Sequence, residues 1–173
     1  MPSDDDGLSS AKALERTVQL MGRSIMRYHV QAIRDDALLR AFEASEIPVE
    51  TWTHEEHLRV AFLYLTRAPF DEAIRKLREG IVNLNRRNGV PDELTSGYHE
   101  TMTVAWAHLI RSAAGEASEI GSSTQFLEEN PILREKNILR RYYSPDHILT
   151  ARAKAEWVEP DLQDLPSLPG VAE

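Results

Sequence analysis

Apolar residues in this chain recur in steps of three and four, and nowhere alternate with polar ones over a useful length, which predicts helices and no sheet. Leu14, Val18, Met21, Ile25, Tyr28 and Ala32 form one such stripe and predict a long first helix over Leu14 to Ala32. Leu38, Leu39 and Phe42 supply the face of a separate short helix over about Ala37 to Ala44, and Pro48 enforces its stop. Thr53-x-x-Glu56 reads as a capping box, in which hydroxyl and carboxylate each satisfy an orphan backbone N–H at the start of the next helix. The run from Leu58 to Leu65 is apolar on nearly every side except Arg59, so this helix is expected at the centre of a bundle, ending before Pro69.

Phe70, Ile74, Leu77, Ile81 and Leu84 mark a helix over about Phe70 to Asn88, with Gly89 and Pro91 as stop signals. Thr95 or Ser96 is expected to cap a helix from Gly97 to Ala114 that carries His99, Met102, Trp106, Leu109 and Ile110 on one side. Ser122 or Ser123 begins another, Pro131 breaks it or opens the next piece through Tyr143, and Ser144-Pro145 starts a further short turn. Pro160, Pro166 and Pro169 make the tail from Trp157 extended. The fold class is therefore all-α. A compact multi-helix bundle over residues 8–156 is expected, with 8–33 as an N-terminal helical extension, 157–173 as a Pro-containing strap, and Met1 to Gly7 disordered.

A chain of 173 residues can bury a core large enough to fold without covalent or metal staples. Cysteine is absent, which excludes disulfide scaffolds, Cys-ligated metal sites and thiol nucleophiles. Twenty Lys and Arg against 28 Asp and Glu leave a net charge of −8, which opposes general nucleic-acid binding. No apolar run approaches the roughly 18 residues of a membrane span, and MPSDDDG lacks the basic and apolar parts of a signal peptide. A cytoplasmic protein with neither nucleic-acid nor membrane partner is expected, and the first helix offers a surface for association of copies of the chain.

Chemistry concentrates on histidine. His54 and His57 stand three apart, so both imidazoles leave one side of their helix. His99 follows in Gly97-Tyr98-His99-Glu100-Thr101. Helices that begin at Thr53 and Ser96 are separated by a single helix, and short connections make successive neighbours antiparallel, so both starts are expected at one end of the bundle. His54, His57 and His99 would then converge as ligands of a divalent metal, zinc or iron, with Glu56 or Glu100 as catalytic base. Arg141, Tyr142 and Tyr98 are candidates for holding a small-molecule substrate. His147 is a candidate fourth ligand or supporting group, whereas His29 and His108 read as structural. Trp52, Trp106 and Trp157 suit either a pocket wall or core packing.

Trp52-Thr53-His54-x-x-His57-Leu58, Gly97-Tyr98-His99-Glu100-Thr101, Arg141-Tyr142-Tyr143-Ser144 and Trp157-Val158-Glu159-Pro160-Asp161 together resemble a family of small bacterial proteins of unassigned function that combine these blocks. The resemblance covers about Ala41 to Pro166 and implies that the histidine blocks and the Trp-led tail form one unit. It brings no activity with it. Two functional readings follow: a metal-dependent hydrolase or oxygenase, or a non-enzymatic helical module that binds a small ligand or a protein and whose histidines are structural. The strap, anchored at Trp157, is expected to cover part of the site mouth and to supply it with a wall or with Asp161.

Overall fold

Thr53 starts the helix around which the protein is built. The computed structural model describes residues 5–115 and 121–169, apart from the side chains at 5–15, 24, 25 and 28. In it α2 (His54–Arg67) is capped by the Thr53 hydroxyl, which accepts the Glu56 N–H at 3.4 Å. The reciprocal half of the capping box is not made. Glu56 takes two hydrogen bonds from Arg59 at 2.9 and 3.1 Å, and the Thr53 N–H goes to the Thr51 carbonyl at 2.9 Å. Leu58 and the run Val60 to Leu65 are buried, as the sequence requires of a central helix. Helices α1 (Asp5–Glu43), α3 (Phe70–Arg87), α4 (Glu100–Ala114) and α5 (Ser123–Glu129) pack around it, and no strand occurs among the described residues.

The first two expected helices are one. Helix α1 runs unbroken for 39 residues, about 58 Å. Continued from Ala32, the apolar stripe meets Asp35 and Asp36, which reads as a boundary, yet no Gly or Pro stands there to break the backbone. Asp35 is instead buried and faces the body of the protein. The expectation of disorder at residues 1–4 lies outside the described residues, and α1 already includes Asp5. Val18, Leu20, Met21, Met26, Val30 and Ile33 are exposed, and among the described side chains of α1 the buried apolar ones, Leu39 and Phe42, lie toward its C-terminal end. There Phe42 lies so close to α3 that a Cβ at Gly80 would stand 2.2 Å from its ring.

Helices α2 and α4 run the same way. Arg111 near the end of α4 donates to the Leu65 carbonyl near the end of α2 at 2.7 Å, while the starts of both helices share a cavity. Helix α4 begins later than expected. Its cap is neither Thr95 nor Ser96 but His99, whose Nδ1 accepts the Met102 N–H at 3.2 Å. Ser96 spends its hydroxyl on the Pro91 carbonyl at 2.7 Å. The preceding loop is held by Lys154, which pairs with Asp92 at 2.7 Å and also donates to the carbonyls of Ser96 and Tyr98.

After α5 the chain makes two 3-10 turns, Pro131–Arg134 and Ile138–Arg141, and two short helices, α6 (Pro145–Ile148) and α7 (Ala151–Ala155). The strap then docks on α4. Its Trp157 ring stacks on His108 at 5.8 Å with planes 11° apart, and Val158 is buried. The Thr101 hydroxyl donates to the Glu156 carbonyl at 2.8 Å and accepts the Val158 N–H at 3.1 Å. Tyr143 donates to the Val158 carbonyl, His147 Nε2 to the Glu159 carbonyl, and Asp161 accepts from the backbone and hydroxyl of Ser144. The Arg141–Ser144 and Trp157–Asp161 blocks are therefore two sides of one contact.

Candidate functional site

A cavity of about 370 Å³ opens between the starts of α2 and α4 and the flank of α3. Helix α2 contributes His54, His57, Leu58 and Ala61, and Trp52 stands just before it. Leu77 and Ile81 come from α3, and Met102, Thr103, Trp106 and Ile110 from α4. Gly97, Tyr98 and His99 close one edge and Lys136, between the two 3-10 turns, another. The spacing of three in α2 and of four in α4 turns these side chains to the same space. The convergence of His54, His57 and His99 is thus a matter of connectivity and helix phase.

Each histidine already has a partner that decides its tautomer. A carbonyl oxygen only accepts, so the imidazole nitrogen facing one carries the proton. His57 donates from Nδ1 to the Thr53 carbonyl at 2.8 Å, which leaves Nε2 as a lone pair. His54 donates from Nε2 to the Leu133 carbonyl at 3.2 Å, which leaves Nδ1. Neither remaining nitrogen bonds another group among the described residues. His99 differs. It donates from Nε2 to the Ile148 carbonyl at 3.0 Å while Nδ1 caps α4, so both nitrogens are committed.

Burial sets the charge. It holds His57 down to about 4, against the opposing pull of the Thr53 carbonyl. His54 and His99 are lowered by burial as well, with the ammonium groups of Lys136 and Lys154 adding to the effect. All three are neutral at pH 7. Aromatic contacts fix their planes: His57 lies 3.9 Å from the Trp52 ring centre and His54 meets Trp106 edge-on at 4.8 Å. Trp52, also stacked on Phe42 at 5.2 Å, keeps its indole Nε1 buried with no hydrogen-bond partner.

The other candidates separate. Tyr98 lines the cavity and donates its hydroxyl to Glu100 at 2.8 Å. Glu100 is buried behind that wall and also accepts from Arg78 Nε at 2.8 Å. Burial would raise its carboxyl, but the bonds from Arg78 and Tyr98 outweigh burial and keep it below the usual carboxylate range. Glu56 does not line the cavity and is bound to Arg59. Arg141 is exposed, Tyr142 is half-buried with its carbonyl accepting the Leu162 N–H, and neither reaches the cavity. His147 is taken up by the strap.

The strap does not wall the site. No described residue from Trp157 onward lines the cavity, because Thr101 and His108 hold the strap on one line of α4 while Met102, Trp106 and Ile110 face the cavity from another. The residue that sequence reasoning missed is Lys136. It lies in a polar stretch with no periodic pattern, and only the path of the two 3-10 turns brings it to the mouth.

Among the described residues no group of three or more His, Asp or Glu side chains is placed to hold a metal ion, and no helix is long and apolar enough to cross a membrane. Comparison with models of known protein families, with curated proteins and with solved structures finds no match to this chain.

Proposed function

We propose that this protein binds a small organic molecule with a mainly apolar body in the cavity at the start of α2 and α4. What supports the reading is a ligand-sized space lined by Leu, Ile, Met and Trp, with uncommitted imidazole nitrogens on two of its lining residues, His54 and His57. An apolar wall binds by burial, and isolated polar groups orient. The histidines serve this reading as neutral, tautomer-locked acceptors rather than as charges.

The metal-dependent reading draws on the same residues. Two imidazole nitrogens, His54 Nδ1 and His57 Nε2, are uncommitted, and His99 would join them only by giving up the α4 cap or the Ile148 carbonyl. A metal there would need the remainder of its ligands from water or substrate. Elemental analysis of tag-free protein separates the readings, since stoichiometric zinc or iron would move the assignment to the metal.

The direct test is titration with phenylnaphthylamine, a neutral fluorophore that brightens in apolar surroundings. Saturable binding is expected, and Met102→Trp, which narrows the cavity, should weaken it while the circular dichroism spectrum stays helical. Binding that persists undiminished in a folded Met102→Trp variant would place the probe elsewhere.

A further inference from the structure

The charges around the cavity are unlike those of the chain. The whole protein carries 28 acids against 20 Lys and Arg, yet no Asp or Glu is among the residues that line this space. Lys136 is the cation there. It forms no ion pair or hydrogen bond among the described residues, whereas Arg134, two positions earlier, is spent on Glu55 at 3.3 Å and on the Leu127 carbonyl at 2.7 Å. Other cations near the site are likewise engaged: Arg78 with Glu100, and Lys154 with Asp92 and two carbonyls.

We infer that the ligand is an organic monoanion, an ionised carboxylic acid on an apolar body, and that Lys136 selects its charge. The inference deepens the small-molecule reading and rests on it. A cationic ligand would meet an ammonium and no carboxylate among the lining residues, Glu100 behind Tyr98 being already held by Arg78. A neutral ligand would leave that exposed ammonium to water and gain nothing from it. A carboxylate pairs with it. The lone pairs of His54 Nδ1 and His57 Nε2 are acceptors and ask for an N–H or O–H on the body of the same molecule. The ligand therefore combines a single carboxylate, an aromatic or alicyclic body, and at least one donor on that body.

Isothermal titration with indoleacetate and indoleacetamide tests this, because the two probes share body and N–H and differ in charge. The carboxylate should bind about threefold to fivefold more tightly than the amide, the range expected of an ion pair to an exposed ammonium. In Lys136→Met that preference should collapse while affinity for the amide changes less than about twofold. Equal affinity of the two probes for the unaltered protein would overturn the monoanion while leaving the small-molecule reading intact. A preference that survives Lys136→Met would overturn the role of Lys136. Failure of both probes, together with failure of phenylnaphthylamine, would remove the cavity reading itself.

Discussion

Asp35 accepts from Ser123 twice, taking the hydroxyl on Oδ1 at 2.5 Å and the backbone N–H on Oδ2 at 2.8 Å. The same carboxylate receives Arg59 at 3.1 Å, and both Asp35 and Ser123 are buried. One acid on α1 thus fastens the start of α5 and shares Arg59 of α2 with Glu56. Asp35→Ala should cost roughly 2 to 3 kcal/mol, because it leaves the buried Ser123 N–H and hydroxyl without their acceptor and takes from Arg59 one of its two carboxylates, the other being Glu56. Asp35→Asn should cost less. Urea denaturation of the two variants checks the order, and equal stabilities would show that the hydrogen bonds to Ser123 contribute nothing measurable.

Thr101 joins the strap to α4 through two hydrogen bonds on one hydroxyl. Thr101→Val keeps the shape and leaves the Val158 N–H and the Glu156 carbonyl without that partner, for a loss of about 2 kcal/mol. Because no described strap residue lines the cavity, phenylnaphthylamine affinity should stay unchanged in this variant. A matched loss of affinity would mean that the strap governs the site at a distance.

Acid should weaken the fold before the carboxylates titrate. His57 is lowered to about 4 and His54, His99 and His108 are lowered too, all by burial first. The unfolded chain therefore binds more protons than the folded one below the ordinary imidazole range. Stability is full above about pH 6.5 and falls as pH drops toward 4, by up to about 1.4 kcal/mol per pH unit for each histidine fully in its window. His57→Asn, which keeps a donor for the Thr53 carbonyl, should flatten the slope between pH 6.5 and 4.5 by close to one such increment. An unaltered slope would mean that His57 is protonated without penalty.

The exposed apolar residues of α1, Val18, Leu20, Met21 and Met26, lie on a stretch none of whose described side chains is buried. Deleting residues 1–26 should shift the thermal midpoint by less than about 3 °C, the change that well under 1 kcal/mol produces in a domain of this size. Sedimentation of both forms reads the second property of this stretch. If copies associate through it, the truncated chain should run as monomer at concentrations where the full chain does not.

Helix positions were legible in the sequence because their causes are local. Thr53, Pro69, Gly89 and Ser122 act on the backbone within a turn of themselves, and the apolar steps of three and four name the buried face without reference to a partner. The meeting of His54, His57 and His99 was legible for a related reason, since short connections leave helices few ways to run. Local rules failed where a partner distant in sequence decided. The buried Asp35 looked like a helix boundary until Arg59 and Ser123 were placed around it. Likewise His99 is not an expected cap residue, and only the Ile148 carbonyl, 49 positions away, turns its ring so that Nδ1 faces the Met102 N–H.

The availability of each imidazole for chemistry was decided by tertiary structure alone. Sequence identifies three imidazoles but not the carbonyls that consume their protons, and one of those carbonyls comes from the turn at Leu133 and another from α6. Lys136 reaches the cavity mouth by the same long-range route. Periodicity reports the face a helix buries; it carries no information on which charge an irregular segment will bring to that face, because that depends on contacts separated by dozens of residues.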